Sequence, residues 1–191
     1  MKTFRVLMAL SGLVLAGHTA SAQKFDTTGC SRFVYYEYDK FTEERELWSY
    51  DAVTLTNVEG MPSSPLAASS YKAAFYNNLS GRFLDKFAAH LVVSNLANND
   101  GLLKSQVSSG VTVYLIFDGN KKFTFKAKMM PIETGYRIDL PMQGEVLMNY
   151  KTKKLTSMRI SGASIGNVDF EVDDKKANHL LNELSCMFGY K

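Results

Sequence analysis

The fold is decided by the sequence VTVYLIFDGNKKFTFKAKM, which runs from Val111 to Met129. In its first half, apolar side chains fall on every second residue from Val111 to Phe117, and in its second half they do so from Phe123 to Met129. Strict alternation with one apolar side is typical of a half-buried strand in an antiparallel sheet. The intervening Asp118-Gly119-Asn120 accepts positive φ, so the stretch is predicted to form a β-hairpin.

The alternation continues toward the C-terminus in four further segments, so that six strands are predicted in this half of the chain. They are Tyr136–Leu140, Gly144–Tyr150, Leu155–Ser161 and Val168–Val172. The turns between them are too short for the crossover connections that parallel strands require. We therefore expect an antiparallel meander.

The N-terminal side adds two strands and a helical segment. Arg32–Tyr38 and Leu47–Val58 are rich in β-forming residues, with a charged hairpin tip between them. From Leu66 to Ala97, large apolar residues recur at steps of four and predict a long amphipathic helical segment, interrupted near Gly81. These residues are Tyr71, Phe75, Leu79, Phe83, Phe87 and Leu91. Ser64 and Pro65 provide a helix-start signal, and residues 98–101 provide a stop.

A short C-terminal helix is predicted after the last strand. Asp173 and Asp174 can cap its N-terminus. Its apolar stripe consists of Ala177, Leu180, Leu181, Leu184 and Phe188.

The expected fold class is therefore α+β, with an antiparallel meander of six to eight strands packed on the long helical segment and the short C-terminal helix. Over residues 33–188, this order resembles the helix-grip architecture of the START and birch-pollen-allergen superfamily. The resemblance implies a curved sheet wrapped around a long helix, with an apolar cavity between them. An NTF2-like cone and the half-barrel of bacterial lipoprotein-carrier proteins fit the same order.

The first 22 residues have the pattern of a signal peptide. Lys2 and Arg5 precede an uncharged apolar run, and Ala20-Ser21-Ala22 fits the small-residue cleavage rule. That run is too short to span a bilayer, and the mature chain offers no longer one. We expect a single domain over residues 23–191, exported to the periplasm or secreted.

Charge and cysteine usage narrow the class of protein further. The mature chain would carry 20 basic and 19 acidic residues, which argues against nucleic acid as a partner. Its two cysteines, Cys30 and Cys186, are predicted to form one disulfide bond in an oxidising compartment. The alternative is two free or intermolecular thiols.

No catalytic motif, cofactor fingerprint or metal-ligand cluster is evident. The candidate residues are those that would line an apolar pocket between helix and sheet. They are Phe75, Phe83, Phe87, His90, Phe123, Phe125, Met129, Tyr136 and Met148. His90 would be either a ligand contact or general base, or a core histidine with one hydrogen-bond partner.

Two functions are compatible with these observations. The first is an exported binding protein that holds an apolar small molecule or a lipid between helix and sheet. The second is a module that binds an envelope or extracellular protein, such as an inhibitor, immunity or assembly factor. An enzyme acting through His90 is the third and weakest hypothesis.

Overall fold

A computed structural model describes Cys30 and residues 33–49, 52–56, 71–95 and 101–189. The signal peptide, the helix-start signal at Ser64 and Pro65, and the stop signal over 98–100 lie outside these residues. The strands are β1 Val34–Asp39, β2 Glu44–Ser49, β3 Val53–Thr56, β4 Tyr71–Gly81, β5 Lys86–Asn95, β6 Val111–Phe117, β7 Lys121–Ala127, β8 Met129–Ile132, β9 Gly135–Leu140, β10 Leu155–Gly162 and β11 Gly166–Glu171. The helices are α1 Gly101–Gln106, α2 Gly144–Thr152 and α3 Asp174–Gly189.

The strands form two antiparallel sheets. Sheet A has the order β1-β2-β4-β5-β9-β8, with β3 pairing beside β2 on the same edge of β4. Sheet B has the order β11-β10-β6-β7. The β6–β7 hairpin forms as predicted, with Val111 opposite Ala127 and positive φ at Gly119 and Asn120.

The inward faces of the two sheets share one apolar core. Phe75 and Leu91 of sheet A belong to the same buried cluster as Val113 and Leu115 of sheet B. A smaller cluster lies under the β1–β2 hairpin, where Leu47 packs with Met187 of α3. The fold is thus mainly β, with two sheets that share a core and helices at its margin, and the expected α+β class is wrong.

The prediction of a long N-terminal helical segment is wrong. The part of it that the structure describes is the β4–β5 hairpin, whose two strands pair over ten residues from Tyr71↔Asn95 to Ser80↔Lys86. Steps of four residues are multiples of two, so they keep apolar residues on one face of a strand as well. Gly81, with φ of +100°, opens a turn rather than a helix break.

Two other elements differ from the prediction. Residues 144–152 are helical because Val146, Leu147 and Tyr150 follow a helical spacing toward the core, while Met148 is exposed. The strands do not form one meander, since β9 pairs with β5 and β8 in sheet A and β10 pairs with β6 in sheet B. The helix-grip order is therefore also wrong, because no long helix lies against a single wrapped sheet in the described part of the chain.

The C-terminal helix and the disulfide bond are confirmed. In α3, Leu180 and Leu184 are buried and Leu181 is half-buried, and the backbone N–H of Lys176 donates to the Asp173 carboxylate at its start. Cys30 and Cys186 are bonded, with Cα atoms 5.6 Å apart. The bond fixes the last turns of α3 beside the start of β1.

Hydropathy gives one further result about the described helices. None of them is both long enough and apolar enough to cross a membrane.

Candidate functional site

Six of the nine residues predicted to line an apolar pocket lie in the core or at its rim instead. Phe75, Phe125, Met129 and Tyr136 are buried within the main cluster. Phe87 and Phe123 are half-buried and pack against its rim. These six side chains therefore form part of the apolar core or border it.

Two of the predicted residues lie on the surface instead. Phe83 is 81% exposed in the β4–β5 turn, and Met148 is 57% exposed on α2. The nine candidates are thus divided among the core, its rim and the surface.

His90 lies on the outer face of sheet A, not in the core. Its Nδ1 is 2.7 Å from Oδ1 of Asp139, which stands directly opposite it on β9. Arg137 Nε approaches the same oxygen at 3.1 Å, and the Trp48 ring stacks on the imidazole at 5.9 Å between centroids.

The His90–Asp139 pair has only part of what a catalytic site needs. A carboxylate can orient an imidazole as a general base, but hydrolysis also requires a nucleophile and donors for the developing charge. In the described part of the chain, His90 makes its hydrogen bond to Asp139 alone. Among the same residues, no group of three His, Cys, Asp or Glu side chains is placed to hold a metal ion.

A second group of exposed side chains lies where two hairpins end side by side. We call it the hairpin surface and define it as Tyr38, Phe41, Glu43, Arg45, Arg82 and Phe83. Its three aromatic residues are 52%, 87% and 81% exposed in that order. Five of the six, all but Phe41, line a groove of about 510 Å³.

The two hairpin turns next to these rings have defined backbone geometry. In the β1–β2 turn, the Asp39 carboxylate accepts the backbone N–H of Phe41 at 2.8 Å, which lowers the pKa of Asp39. Glu43 has φ of +58°, and Leu84 in the β4–β5 turn has φ of +53°. An ion pair of 3.2 Å between Arg82 and Glu43 joins the two turns.

The outer face of the β1–β2 hairpin is acidic. Register places Glu37 directly opposite Glu46, and Asp39 directly opposite Glu44. The next pair along is Tyr35 and Trp48, and the Trp48 indole N–H donates to Glu46 at 2.6 Å. Partial burial, followed by the charges of Glu37 and Glu46, raises the pKa of Tyr35.

A buried polar network ties this hairpin to α3. Oε1 of Glu183 accepts hydrogen bonds from Ser49 on β2 at 2.5 Å and from Asn77 on β4 at 2.6 Å. The Tyr150 hydroxyl of α2 donates to Asn77. Burial raises the pKa of Glu183 to about 7, and burial together with Glu183 raises that of Tyr150.

Of the hairpin surface, Phe83 alone was among the predicted site residues, and it was predicted to line an internal pocket, although the sequence carries a signal for the surface. From Tyr35 to Glu46, every residue except Thr42 is aromatic or charged, and none is aliphatic. This end of the hairpin therefore has no aliphatic side chain to place in a core, which indicates an exposed hairpin end. Asp139 and Glu183 were missed because their partners are remote in sequence.

Comparison of the chain with protein-family models, with curated proteins and with solved structures finds no match in any of the three. The interpretation of the site therefore depends on its geometry and chemistry.

Proposed function

We propose that this protein is an exported protein-interaction module that binds another protein through the hairpin surface. The observation that carries the proposal is the exposure of Tyr38, Phe41 and Phe83 beside Arg45 and Arg82. Exposed aromatic clusters of this kind are unfavourable in water, and aromatic and arginine residues dominate the binding energy of protein interfaces.

The placement of the groove also favours a macromolecular partner. It lies across the ends of two hairpins and is open to solvent, whereas small-molecule sites enclose most of their ligand. The residues that would have enclosed an apolar ligand, such as Phe75 and Met129, are packed against core neighbours. The apolar-ligand hypothesis also required the long helix, which is absent from the described chain.

Export is part of the proposal. Disulfide bonds persist in oxidising compartments, and the bond between Cys30 and Cys186 supports an extracytoplasmic location. The signal-peptide pattern of the first 22 residues supports the same location.

Site-specific photo-crosslinking in the natural host tests the proposal. A crosslinker at Phe83 is expected to give a discrete adduct, and one at Met148 on α2 serves as the control because it is also exposed. The adduct protein is then purified and its affinity measured by calorimetry. Tyr38→Ser with Phe83→Ser is expected to weaken the complex by about 100-fold.

Two results would contradict this function. One is a reconstituted complex whose affinity is unchanged by the Tyr38→Ser and Phe83→Ser substitutions. The other is native mass spectrometry in which the purified protein carries a stoichiometric small molecule, which would favour the ligand-carrier hypothesis.

A further inference from the structure

We infer that Arg45 binds an aspartate or glutamate side chain of the partner protein, and that an aromatic or large aliphatic residue next to this acidic residue packs in the groove of the hairpin surface. The inference rests on the proposed function and specifies the chemistry of the partner. It depends on the pairing of Arg45, on its burial and on its surroundings in the groove.

The first observation is that Arg45 has no carboxylate partner. The structure describes four arginines, and the other three form ion pairs. These pairs are Arg82 with Glu43, Arg137 with Asp139 and Arg159 with Asp169. Within the described residues, the Arg45 side chain has neither an ion pair nor a hydrogen bond. Its guanidinium is therefore available to an anion from outside this part of the chain.

The second observation concerns burial. Arg45 is half-buried, whereas the three paired arginines are exposed. Partial burial removes water from a guanidinium, and a carboxylate partner normally offsets that cost. The most shielded of the four arginines is therefore the one whose charge has no compensation within the described chain, which indicates an anionic ligand at this position.

The third observation concerns the surroundings of Arg45. Register places it opposite Tyr38 on β1, and both residues line the groove together with Phe83. Its neighbours along β2, Glu44 and Glu46, alternate onto the opposite face of the sheet. Arg45 is therefore a cationic group in a groove that has aromatic side chains.

Two carboxylates lie near Arg45 and leave it unpaired. Glu43 lines the groove and is paired with Arg82. Asp85 lies over Gly81, the residue opposite Arg45 on β4, since its Oδ1 is 2.7 Å from the position that a Cβ atom would have there. Asp85 forms no ion pair in the described part of the chain, so its charge would compete with that of an incoming carboxylate.

These observations define the partner segment. The planar fork of a guanidinium matches a carboxylate, with which it forms two parallel hydrogen bonds. Tyr38 and Phe83 can pack on an apolar side chain beside that carboxylate. The carboxylate of a chain terminus is instead held by backbone N–H groups, and the N–H groups of Phe41, Glu44 and Leu84 are already bonded within the two turns. We therefore expect an acidic side chain.

Synthetic peptides provide the test. The probe is an N-acetylated and C-amidated peptide with one glutamate between two phenylalanines, and its counterpart has glutamine in place of the glutamate. Binding to the full disulfide-bonded protein is followed by the NMR signal of the Arg45 Nε–H group, which is identified by its absence from Arg45→Gln. We expect the glutamate peptide to shift this signal and to bind about ten-fold more tightly than the glutamine peptide. Equal affinities, or no binding of the glutamate peptide, would overturn the inference.

Protein variants test whether Arg45 provides the preference for glutamate. Arg45→Gln is expected to abolish the preference, and Arg45→Lys to retain only part of it, because lysine keeps the charge without the planar fork. Arg159→Gln, which removes an arginine from β10, is the matched control and should retain the full preference. Asp85→Asn is expected to strengthen binding of the glutamate peptide by about two-fold, because it removes the competing charge. A preference that survives Arg45→Gln would refute the role of Arg45.

Two further outcomes separate this inference from the proposed function. A peptide without glutamate but with a free C-terminal carboxylate would, if it bound more tightly than the glutamate peptide, replace the acidic side chain with a chain end and overturn the inference. A partner protein whose affinity falls with Tyr38→Ser and Phe83→Ser but not with Arg45→Gln would also overturn it, while the proposed function would stand.

Discussion

Glu183 is a carboxylic acid enclosed between two strands and two helices, and its environment makes it sensitive to pH. The groups that face it are Ser49, Asn77, Tyr150 and His179. Its second oxygen, Oε2, has no hydrogen-bond partner in the described residues and lies 4.0 Å from Nε2 of His179. The fold therefore favours the protonated acid over the carboxylate.

The raised pKa fixes the direction of the pH effect. The ordinary pKa of 4.5 is raised to about 7 in the fold, so the stabilising contribution of Glu183 is complete below 4.5 and is lost as the pH rises to about 7. The difference in pKa corresponds to at most about 3 kcal/mol. We expect Glu183→Gln to raise the free energy of unfolding at about pH 8 by 1–3 kcal/mol and to change it little at about pH 4.

Urea unfolding of the wild-type protein and the variant across this range measures the effect. Glu171→Gln, on the exposed side of β11, is the control, and we expect it to change stability by less than about 0.5 kcal/mol at either pH. A difference between wild type and Glu183→Gln that does not vary with pH would contradict the assignment of the titration to Glu183.

At the scale of elements, α1 depends on one buried side chain. Gln106 ends this short helix, and its amide donates to Ser109 and to the carbonyl of Gly110. Its Oε1 accepts the backbone N–H of Ser164 at 2.7 Å, which joins α1 to the β10–β11 turn. A side chain at Gly162 would collide with Gln106, so glycine there permits the close approach.

Gln106→Leu is expected to destabilise the protein by about 2–4 kcal/mol, because the backbone groups of Gly110 and Ser164 lose their partner without regaining water. Thermal unfolding measures the loss. Lys104→Leu, an exposed position in the same helix, is the control and should change stability by less than about 1 kcal/mol. If the two variants lost similar amounts of stability, the loss would come from a general sensitivity of α1 to substitution and not from the Gln106 hydrogen bonds.

The elements also show what sequence patterns could and could not resolve. The β6–β7 hairpin was predictable because strict alternation and a Gly-Asn turn agree with each other. The segment from Tyr71 to Leu91 was wrongly predicted to be helical, because apolar residues four positions apart fit the period of a helix as well as that of a strand. In a helix, however, each such step rotates the apolar position by about 40°, so five steps carry it to the opposite side. A helix would therefore not keep these residues on one face, whereas a strand would. This rotation was the signal in the sequence that favoured strands.

The candidate site was less predictable than the fold. The pairs Glu37–Glu46 and His90–Asp139 are set by strand order and register, which local composition does not contain. Sheet order across β2, β4, β5 and β9 joins residues that are far apart in the chain. Only the disulfide could be inferred at long range, because two cysteines allow one intramolecular pairing.

At the scale of the whole molecule, the disulfide connects the two ends of the described chain. It closes a loop of 156 residues, for which chain entropy gives a stabilisation of about 5 kcal/mol. We expect Cys30→Ser with Cys186→Ser to lower the free energy of unfolding by an amount approaching this value. Guanidinium unfolding of the variant, of the oxidised protein and of the reduced protein measures it. Coincident midpoints for the oxidised and reduced proteins would contradict the expectation.

The separation of the two cysteines along the chain also determines when during synthesis the disulfide bond can form. At 5–20 residues per second, Cys186 is synthesised roughly 8 to 30 s after Cys30. During that interval the earlier thiol has no partner within its own chain, since the sequence contains two cysteines. Formation of this disulfide therefore requires that translation has passed through all the described strands and through α3 as far as Cys186. A product that terminates before Cys186 retains Cys30 as an unpaired thiol and lacks the covalent link between β1 and α3.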